Sequence, residues 1–290
     1  MGCASRFSSP SVEYAAPAEL SLVHVPADRR RLYVRVPGLD NSLWFVDTGY
    51  SQTTCDTDWI EEQGIASRRS LVFSRSGAFS GWVPLRIARL PAFRLGDHYV
   101  DEMACPSRDL QATSSIKDER VAGVLGTNLF RRFTVVLDME SGVLRLHDPD
   151  ELRVDDGVRM RLSLEGARAE LPLEIGDKQR FPLFDTGATG TYINARPHEL
   201  PLVVEREVTW SSTGTRPDKK RIVQYYQADT IGLAGTPLDE GLTLLHQPWY
   251  KPQIVGMDLI RHFNITLDYV RRRCRVEPVT PARLPVDATR

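Results

Sequence analysis

The tripeptide Asp-Thr-Gly occurs twice in the chain, as Asp47-Thr48-Gly49 and as Asp185-Thr186-Gly187. A positioned carboxyl group can take a proton from a reacting molecule or give one to it. Two carboxyl groups about 3 Å apart cannot both ionise, so they share one proton and supply a base and an acid together. The repeat therefore predicts an acid–base site, provided that the fold brings Asp47 and Asp185 into contact.

A single Asp-Thr-Gly is also typical of a polar turn that closes a strand, since Asp and Thr favour turns and Gly permits a positive φ. The second copy argues against that simpler interpretation, because both copies follow an apolar run that is typical of a buried strand. These runs are Leu43-Trp44-Phe45-Val46 and Phe181-Pro182-Leu183-Phe184. Each is preceded by a turn and an earlier strand, so we expect two hairpins that each end in an Asp.

A second block recurs after each tripeptide. Val124-Leu125-Gly126 corresponds to Ile254-Val255-Gly256, and both are followed by a segment that predicts a strand pair. The two Asp residues lie 138 positions apart and the two Gly residues 130, which is the spacing of a diverged duplication with altered loop lengths.

The predicted fold is mostly β, with two tandem β lobes and a few short helices. We expect helices over residues 58–63 and directly after Gly126 and Gly256. The predicted organisation is a flexible N-terminal tail over residues 1–20, an N-terminal lobe over 21–150, a C-terminal lobe over 151–278 and a loose tail over 279–290. The acidic stretch 148–157 is the predicted boundary between the lobes.

The residues beside each Asp suit a paired site. Thr48 and Thr186 can each hydrogen-bond across to the opposite loop and hold the two turns together. Gly49 and Gly187 lack a Cβ atom, so their N–H groups can approach the carboxylates closely.

These motifs resemble those of the pepsin and retropepsin superfamily, especially the retropepsin-like aspartyl proteases of bacteria, over about residues 32–278. The resemblance implies a bilobal acid-protease fold and an aspartic endopeptidase in which Asp47 and Asp185 activate a water that hydrolyses a peptide bond. It implies that the strands ending at Gly126 and Gly256 pass behind the two loops. Retropepsins assemble their site from two chains, whereas this chain resembles such a dimer fused into one, so we expect an active monomer. We expect a peptide or protein substrate, no cofactor and no metal.

The resemblance also implies a flap that covers the substrate. By position we assign the first flap to Gly77, Ala78, Phe79, Ser80 and Gly81, and a second to residues 211–221. An exposed surface turn is the alternative for both segments.

Tyr50 departs from the family pattern, which usually has Ala, Ser or Thr after the first tripeptide. Its ring is expected to crowd the substrate site, and it favours the alternative of a peptide-binding protein that does not cut. Neither Tyr50 nor Ala188 supplies the hydroxyl that a Ser would offer to the ionised carboxyls, so the expected working pH is higher than that of a pepsin.

Composition excludes several other functions. The formal net charge of −1 offers no basic surplus for nucleic acid, and the chain contains no apolar run of about 20 residues that could cross a membrane. The arginine runs 29–31 and 271–273 are interpreted as solvated strand edges. The six His residues show no spacing typical of a metal site.

The four cysteines and the N-terminus leave the cellular compartment open. We favour buried free thiols, with a Cys55–Cys105 disulfide as the alternative. Residues 1–18 are either a disordered tail or the remnant of a bacterial lipoprotein processing site at Cys3. The second alternative places the protein in the periplasm, and the other compartment considered is the cytoplasm.

Overall fold

Strands dominate the computed structural model, which describes residues 9–23, 25, 28, 30–74, 83–110, 116, 119–164, 167–194, 200–210, 219–247 and 252–280. The strands of its first half are β1 Val12–Glu13, β2 Ala18–Val23, β3 Tyr33–Val36, β4 Ser42–Val46, β5 Thr54–Asp56, β6 Ser67–Ser74, β7 Val83–Leu90, β8 Phe93–Leu95, β9 His98–Val100, β10 Met103–Arg108, β11 Val121–Leu125, β12 Thr134–Asp138 and β13 Val143–His147. Those of its second half are β14 Val158–Arg159, β15 Arg161–Leu162, β16 Ala169–Glu170, β17 Leu173–Ile175, β18 Lys178–Arg180, β19 Leu183–Phe184, β20 Leu202–Trp210, β21 Lys219–Ala228, β22 Ile231–Leu233, β23 Thr236–Leu238, β24 Leu242–His246, β25 Ile254–Val255, β26 Phe263–Asp268 and β27 Arg273–Pro278. The helices of the described residues are α1 Thr57–Glu62, α2 Thr127–Phe130 and α3 Met257–Ile260, with a 3₁₀ turn at Pro37–Leu39. The mostly β prediction is thus confirmed, and the three helices lie where they were expected.

One large sheet runs through both halves of the chain. Within the described residues it has thirteen strands in the order β14-β27-β26-β12-β13-β2-β3-β4-β11-β5-β10-β7-β6. Strand β12 of the first half pairs antiparallel with β26 of the second, with Val135 opposite Leu267. Both of these side chains are fully buried, so the join between the halves is part of the hydrophobic core.

The other described strands form smaller sheets, in the orders β1-β9-β8, β15-β16-β19-β25, β18-β17-β22-β23 and β20-β21-β24. The second copy of the hairpin is split between two of these sheets, whereas the first copy is a continuous β3–β4 pair. Pro172 and Pro182 stand at the split. Proline has no N–H group to donate, so a continuous ladder is not possible there.

The structure corrects the prediction that residues 1–20 form a flexible tail. Residues 12–13 and 18–23 lie in strands, and β2 pairs with both β13 and β3. Ala18 and Leu20 are buried, while Glu19 between them is exposed. This alternation is a strand signal that the overall composition of the segment concealed. Residues 1–8, including Cys3, lie outside the described residues.

The cysteines also differ from the favoured prediction of free thiols. Cys55 on β5 and Cys105 on β10 form a disulfide, with their Cα atoms 5.9 Å apart. The two strands are parallel neighbours, and this pairing brings together residues that lie 50 positions apart in the chain. Cys274 on β27 is buried and free.

None of the helices in the described part of the chain is long and apolar enough to cross a membrane.

Candidate active site

Each candidate aspartate follows a strand that is held by a parallel neighbour. Strand β4 pairs with β11 and is followed by Asp47, whose N–H donates to the carbonyl of Leu125 at 3.1 Å. Strand β19 pairs with β25 and is followed by Asp185, whose N–H donates to the carbonyl of Val255 at 3.0 Å. Both carboxyl groups are therefore placed by backbone that belongs to a sheet.

The loop after each strand has the same internal hydrogen bonds. The N–H of Gly49 donates to Oδ1 of Asp47 at 2.9 Å, and the N–H of Gly187 donates to Oδ1 of Asp185 at 2.8 Å. These are Asx turns, in which a short side chain takes the place of a backbone acceptor. They fix the orientation of each carboxyl group, as expected for the two glycines.

The two threonines cross between the loops. The N–H of Thr48 donates to Oγ1 of Thr186, and the N–H of Thr186 donates to Oγ1 of Thr48, both at 3.1 Å. The Thr48 hydroxyl then donates to the carbonyl of Phe184 at 3.0 Å, and the Thr186 hydroxyl to that of Val46 at 2.7 Å. Both side chains are fully buried. The hydrogen bonds between Thr48 and Thr186 confirm the predicted contact across the loops.

The glycines lie against the opposite aspartates. A Cβ atom added to Gly49 would be 2.1 Å from Cγ of Asp185, and one added to Gly187 would be 2.5 Å from Oδ2 of Asp47. Any side chain at either position would push the opposite carboxyl group away. The two loops thus meet face to face, with the glycine of each loop packed against the aspartate of the other.

The surroundings favour a shared proton. Burial, then the charge of Asp185 and the hydrogen bond to it, raise the pKa of Asp47 well above its ordinary value. Burial also raises the pKa of Asp185, against the lowering effect of the Gly187 N–H group and the Arg168 charge. Because the two groups interact strongly, they titrate as one pair.

The strands that end at Gly126 and Gly256 pass directly behind the loops. A Cβ atom on Gly126 would be 2.5 Å from the backbone carbon of Gln52, and one on Gly256 would be 2.3 Å from the carbonyl oxygen of Gly190. Each crossing is followed by a matched hydrogen bond: the Thr127 N–H donates to the carbonyl of Tyr50, and the Met257 N–H to that of Ala188, both at 2.8 Å.

Two further pairs of residues support the loops and were missed by the sequence analysis. Oγ1 of Thr53 accepts from the N–H of Gly126, and Oδ1 of Asn128 accepts from the N–H of Thr53. In the second half Thr191 and Asp258 make the corresponding bonds. The signal was present in the sequence, because a Thr stands six residues after each Asp and an Asn or Asp two residues after each Gly.

The assigned first flap, residues 77–81, lies outside the described residues. The strands on either side of it are described: β6 and β7 pair antiparallel, with Ser74 opposite Val83. Of the second assigned flap, residues 211–218 lie outside the described residues, whereas residues 219–221 belong to β21, which pairs antiparallel with β20 and has Lys219 opposite Trp210. Tyr50 is half-buried beside Asp47, and its N–H donates to the carbonyl of that residue.

Within the described residues no three His, Cys, Asp or Glu side chains are grouped closely enough to hold a metal ion. In comparisons with known proteins, no family model and no curated protein matches the chain.

Proposed function

We propose that this protein is an aspartic endopeptidase with a bilobal pepsin- or retropepsin-like fold. One observation carries the proposal: two Asp-Thr-Gly loops from the two halves of the chain meet face to face, with each glycine packed against the aspartate of the other loop. The cross-loop bonds of Thr48 and Thr186 support it, because they hold the two carboxyl groups in one geometry. A polar turn that merely ends a strand needs neither feature.

In the proposed mechanism the ionised carboxylate takes a proton from a water molecule between the two aspartates. The water oxygen attacks the carbon of the peptide carbonyl, while the protonated carboxyl gives its proton to the carbonyl oxygen. The resulting gem-diol collapses, the C–N bond breaks, and the leaving nitrogen takes up a proton from the pair. Asp47 and Asp185 supply both the acid and the base, so no cofactor is required.

The pH dependence of the rate follows from the shared proton. At low pH both carboxyls are protonated and the base is lost; at high pH both are ionised and the acid is lost. A bell-shaped profile results. Because the pKa values of both groups are raised, the alkaline limb lies above the ordinary pKa of Asp, and the best rate is expected in mildly acidic solution.

The test is the cleavage of a diverse peptide library at a series of pH values by the wild type, Asp47→Asn and Asp185→Asn. Either substitution should abolish cleavage while the fold is retained, because Asn keeps the size of Asp but cannot carry the shared proton. Asp97→Asn, at an exposed turn position, is the matched control and should cleave like the wild type. Full activity in either site variant, or a wild-type rate that still rises above about pH 9, would mean that another group does the chemistry.

The second candidate function is peptide binding without hydrolysis. Tyr50 favours it, since its half-buried side chain stands beside Asp47 where the family has a small residue. A wild type that retains library peptides without cutting them would select this alternative.

The Cys55–Cys105 disulfide bears on the compartment, because disulfides persist mainly in oxidising environments. Of the two compartments considered, we therefore propose the periplasm.

A further inference from the structure

Two arginines occupy equivalent places in the two halves of the chain. In the first half, Tyr33 lies two residues after Arg31 and pairs with Phe45, which lies two residues before the aspartate. In the second half, Glu170 lies two residues after Arg168 and pairs with Leu183, which again lies two residues before the aspartate.

Each arginine reaches across to the loop of the other half. Nε of Arg31 donates to the carbonyl of Gly187 at 3.3 Å, and Nη1 of Arg168 donates to the carbonyl of Gly49 at 3.2 Å. These are the glycines whose N–H groups orient the two carboxyls. The arginines therefore bind the carbonyl groups of the same two glycines whose N–H groups hold the aspartates.

The Arg31 guanidinium is itself fixed in place. Its Nη1 forms an ion pair with Asp28 at 2.9 Å, and the same oxygen of Asp28 accepts from the Tyr33 hydroxyl at 3.0 Å. The guanidinium also lies 5.7 Å from the centre of the Phe45 ring. A guanidinium that is held by several groups keeps its charge at one point and does not sweep through solvent.

Both arginines act electrostatically on the aspartate pair. The charge of Arg31 opposes the rise in the pKa of Asp47, and the charge of Arg168 opposes the rise in the pKa of Asp185, while each carboxyl also interacts with the other. Each carboxyl thus has one carboxyl neighbour and one arginine, and each arginine favours the ionised form. The negative charge of Asp28 offsets part of the Arg31 effect.

We propose that Arg31 and Arg168 are a matched pair of positioning residues, each of which holds the glycine of the opposite loop and keeps a positive charge beside the aspartate pair. This inference rests on the proposed function, since it concerns how the same site works. The arginines maintain one ionised carboxyl in a site that burial would otherwise keep protonated, so the site operates at a lower pH than it would without them.

The charge and the hydrogen bonds are separable by substitution. Arg31→Gln and Arg168→Gln remove the charge and should move both limbs of the pH–rate profile upward by about 0.5–1 pH unit, with kcat/KM about tenfold lower. Arg31→Lys and Arg168→Lys keep the charge but lose the planar fork of donors. They should lower kcat and leave the profile where it is.

The experiment measures two quantities on the full-length protein: the pH–rate profile, and the titration of the Asp47 and Asp185 carboxyl carbons by ¹³C NMR. The control variants are Arg35→Gln and Arg161→Gln. Each removes one positive charge from a strand of the same half, where Arg35 pairs with Glu119 and Arg161 stacks on Phe181. Thermal unfolding of every variant checks that the fold is retained.

The titration does not depend on activity, so the two proposals can fail separately. If the wild type cleaves nothing, the proposed function fails. The NMR titration then still tests whether Arg31 and Arg168 act on the aspartate pair. Upward shifts in Arg31→Gln and Arg168→Gln, with none in the two Lys variants or the two controls, would support the inference. Unchanged titration in Arg31→Gln and Arg168→Gln, or equal shifts in the Arg35 and Arg161 controls, would overturn it.

Discussion

Thr48 and Thr186 show how much of the site depends on single atoms. Each hydroxyl accepts one hydrogen bond and donates another in a place without access to water. Each hydroxyl therefore satisfies two backbone groups, and a buried backbone group that loses its partner costs about 1–3 kcal/mol. At the scale of residues the two loops behave as one unit, because the threonine N–H group of each loop finds its partner on the other loop.

The first prediction concerns Thr186→Val, which has nearly the same shape but no hydroxyl. The N–H of Thr48 and the carbonyl of Val46 would both lose a partner. We expect the free energy of unfolding to fall by about 2–4 kcal/mol, as measured by urea denaturation.

Thr134→Val is the matched control. Thr134 is as deeply buried, but its hydroxyl makes one bond, to the carbonyl of Leu152 at 2.8 Å. Its loss should cost about half as much. Equal effects at the two positions would show that the cross-loop pairing has no special weight.

At the scale of elements, the crossings at Gly126 and Gly256 determine where the loops can lie. The strand that ends at each glycine supports the Asp strand from the side and then passes behind its loop. Backbone atoms, which cannot move aside as a flexible side chain can, approach to within 3 Å of where a Cβ would be.

Gly126→Ala should therefore destabilise the protein by about 3 kcal/mol or more, since overpacking against backbone has no cheap relief. The comparison is Gly142→Ala, at a turn with φ of 66° and no atom within 4 Å of the added Cβ. At Gly142 only the left-handed backbone conformation disfavours Ala, and we expect this substitution to cost about 1 kcal/mol of stability. Urea denaturation measures both, and similar losses would contradict the close crossing.

The disulfide joins two strands next to the first loop, since Cys55 lies two residues after Thr53. Chain entropy predicts that closing a loop of 50 residues stabilises the fold by about 4 kcal/mol. The double variant Cys55→Ala/Cys105→Ala should lose about 2–4 kcal/mol of stability. Adding a reductant should weaken the wild type but not this variant. Cys274→Ala, the control, should keep the reductant sensitivity of the wild type.

On the scale of the whole molecule, the β12–β26 pairing makes the two halves parts of one sheet. The site is then assembled within one chain, and no second copy is needed to supply an aspartate. The specific rate of peptide cleavage, under the proposed function, should therefore stay constant as the protein is diluted, over a range in which light scattering reports a monomer. A steep fall of activity on dilution would contradict a single-chain site.

Much of this architecture could be predicted because the duplication appears as local patterns. The apolar runs before Asp47 and Asp185 predicted strand ends, and the repeated Gly126 and Gly256 blocks predicted the short helices. The crossings behind the loops were implied by the resemblance to retropepsins. Strand β2 was missed because its alternation begins within a segment of tail-like composition. Thr53 and Thr191 were missed although their spacing from the aspartates is identical.

The sequence by itself determined that Asp47 and Asp185 follow two matched strands, since strand ends and tight turns depend on neighbouring residues and repeat with them. Tertiary structure alone decided three other features: the Cys55–Cys105 bond, the sheet shared through β12 and β26, and the reach of Arg31 and Arg168 to the opposite loops. Each of these joins residues far apart in the chain, and such contacts form only where the packing of both halves places them. The physical reason is that local propensity fixes the direction of a strand, whereas its neighbours are chosen by the burial of its faces.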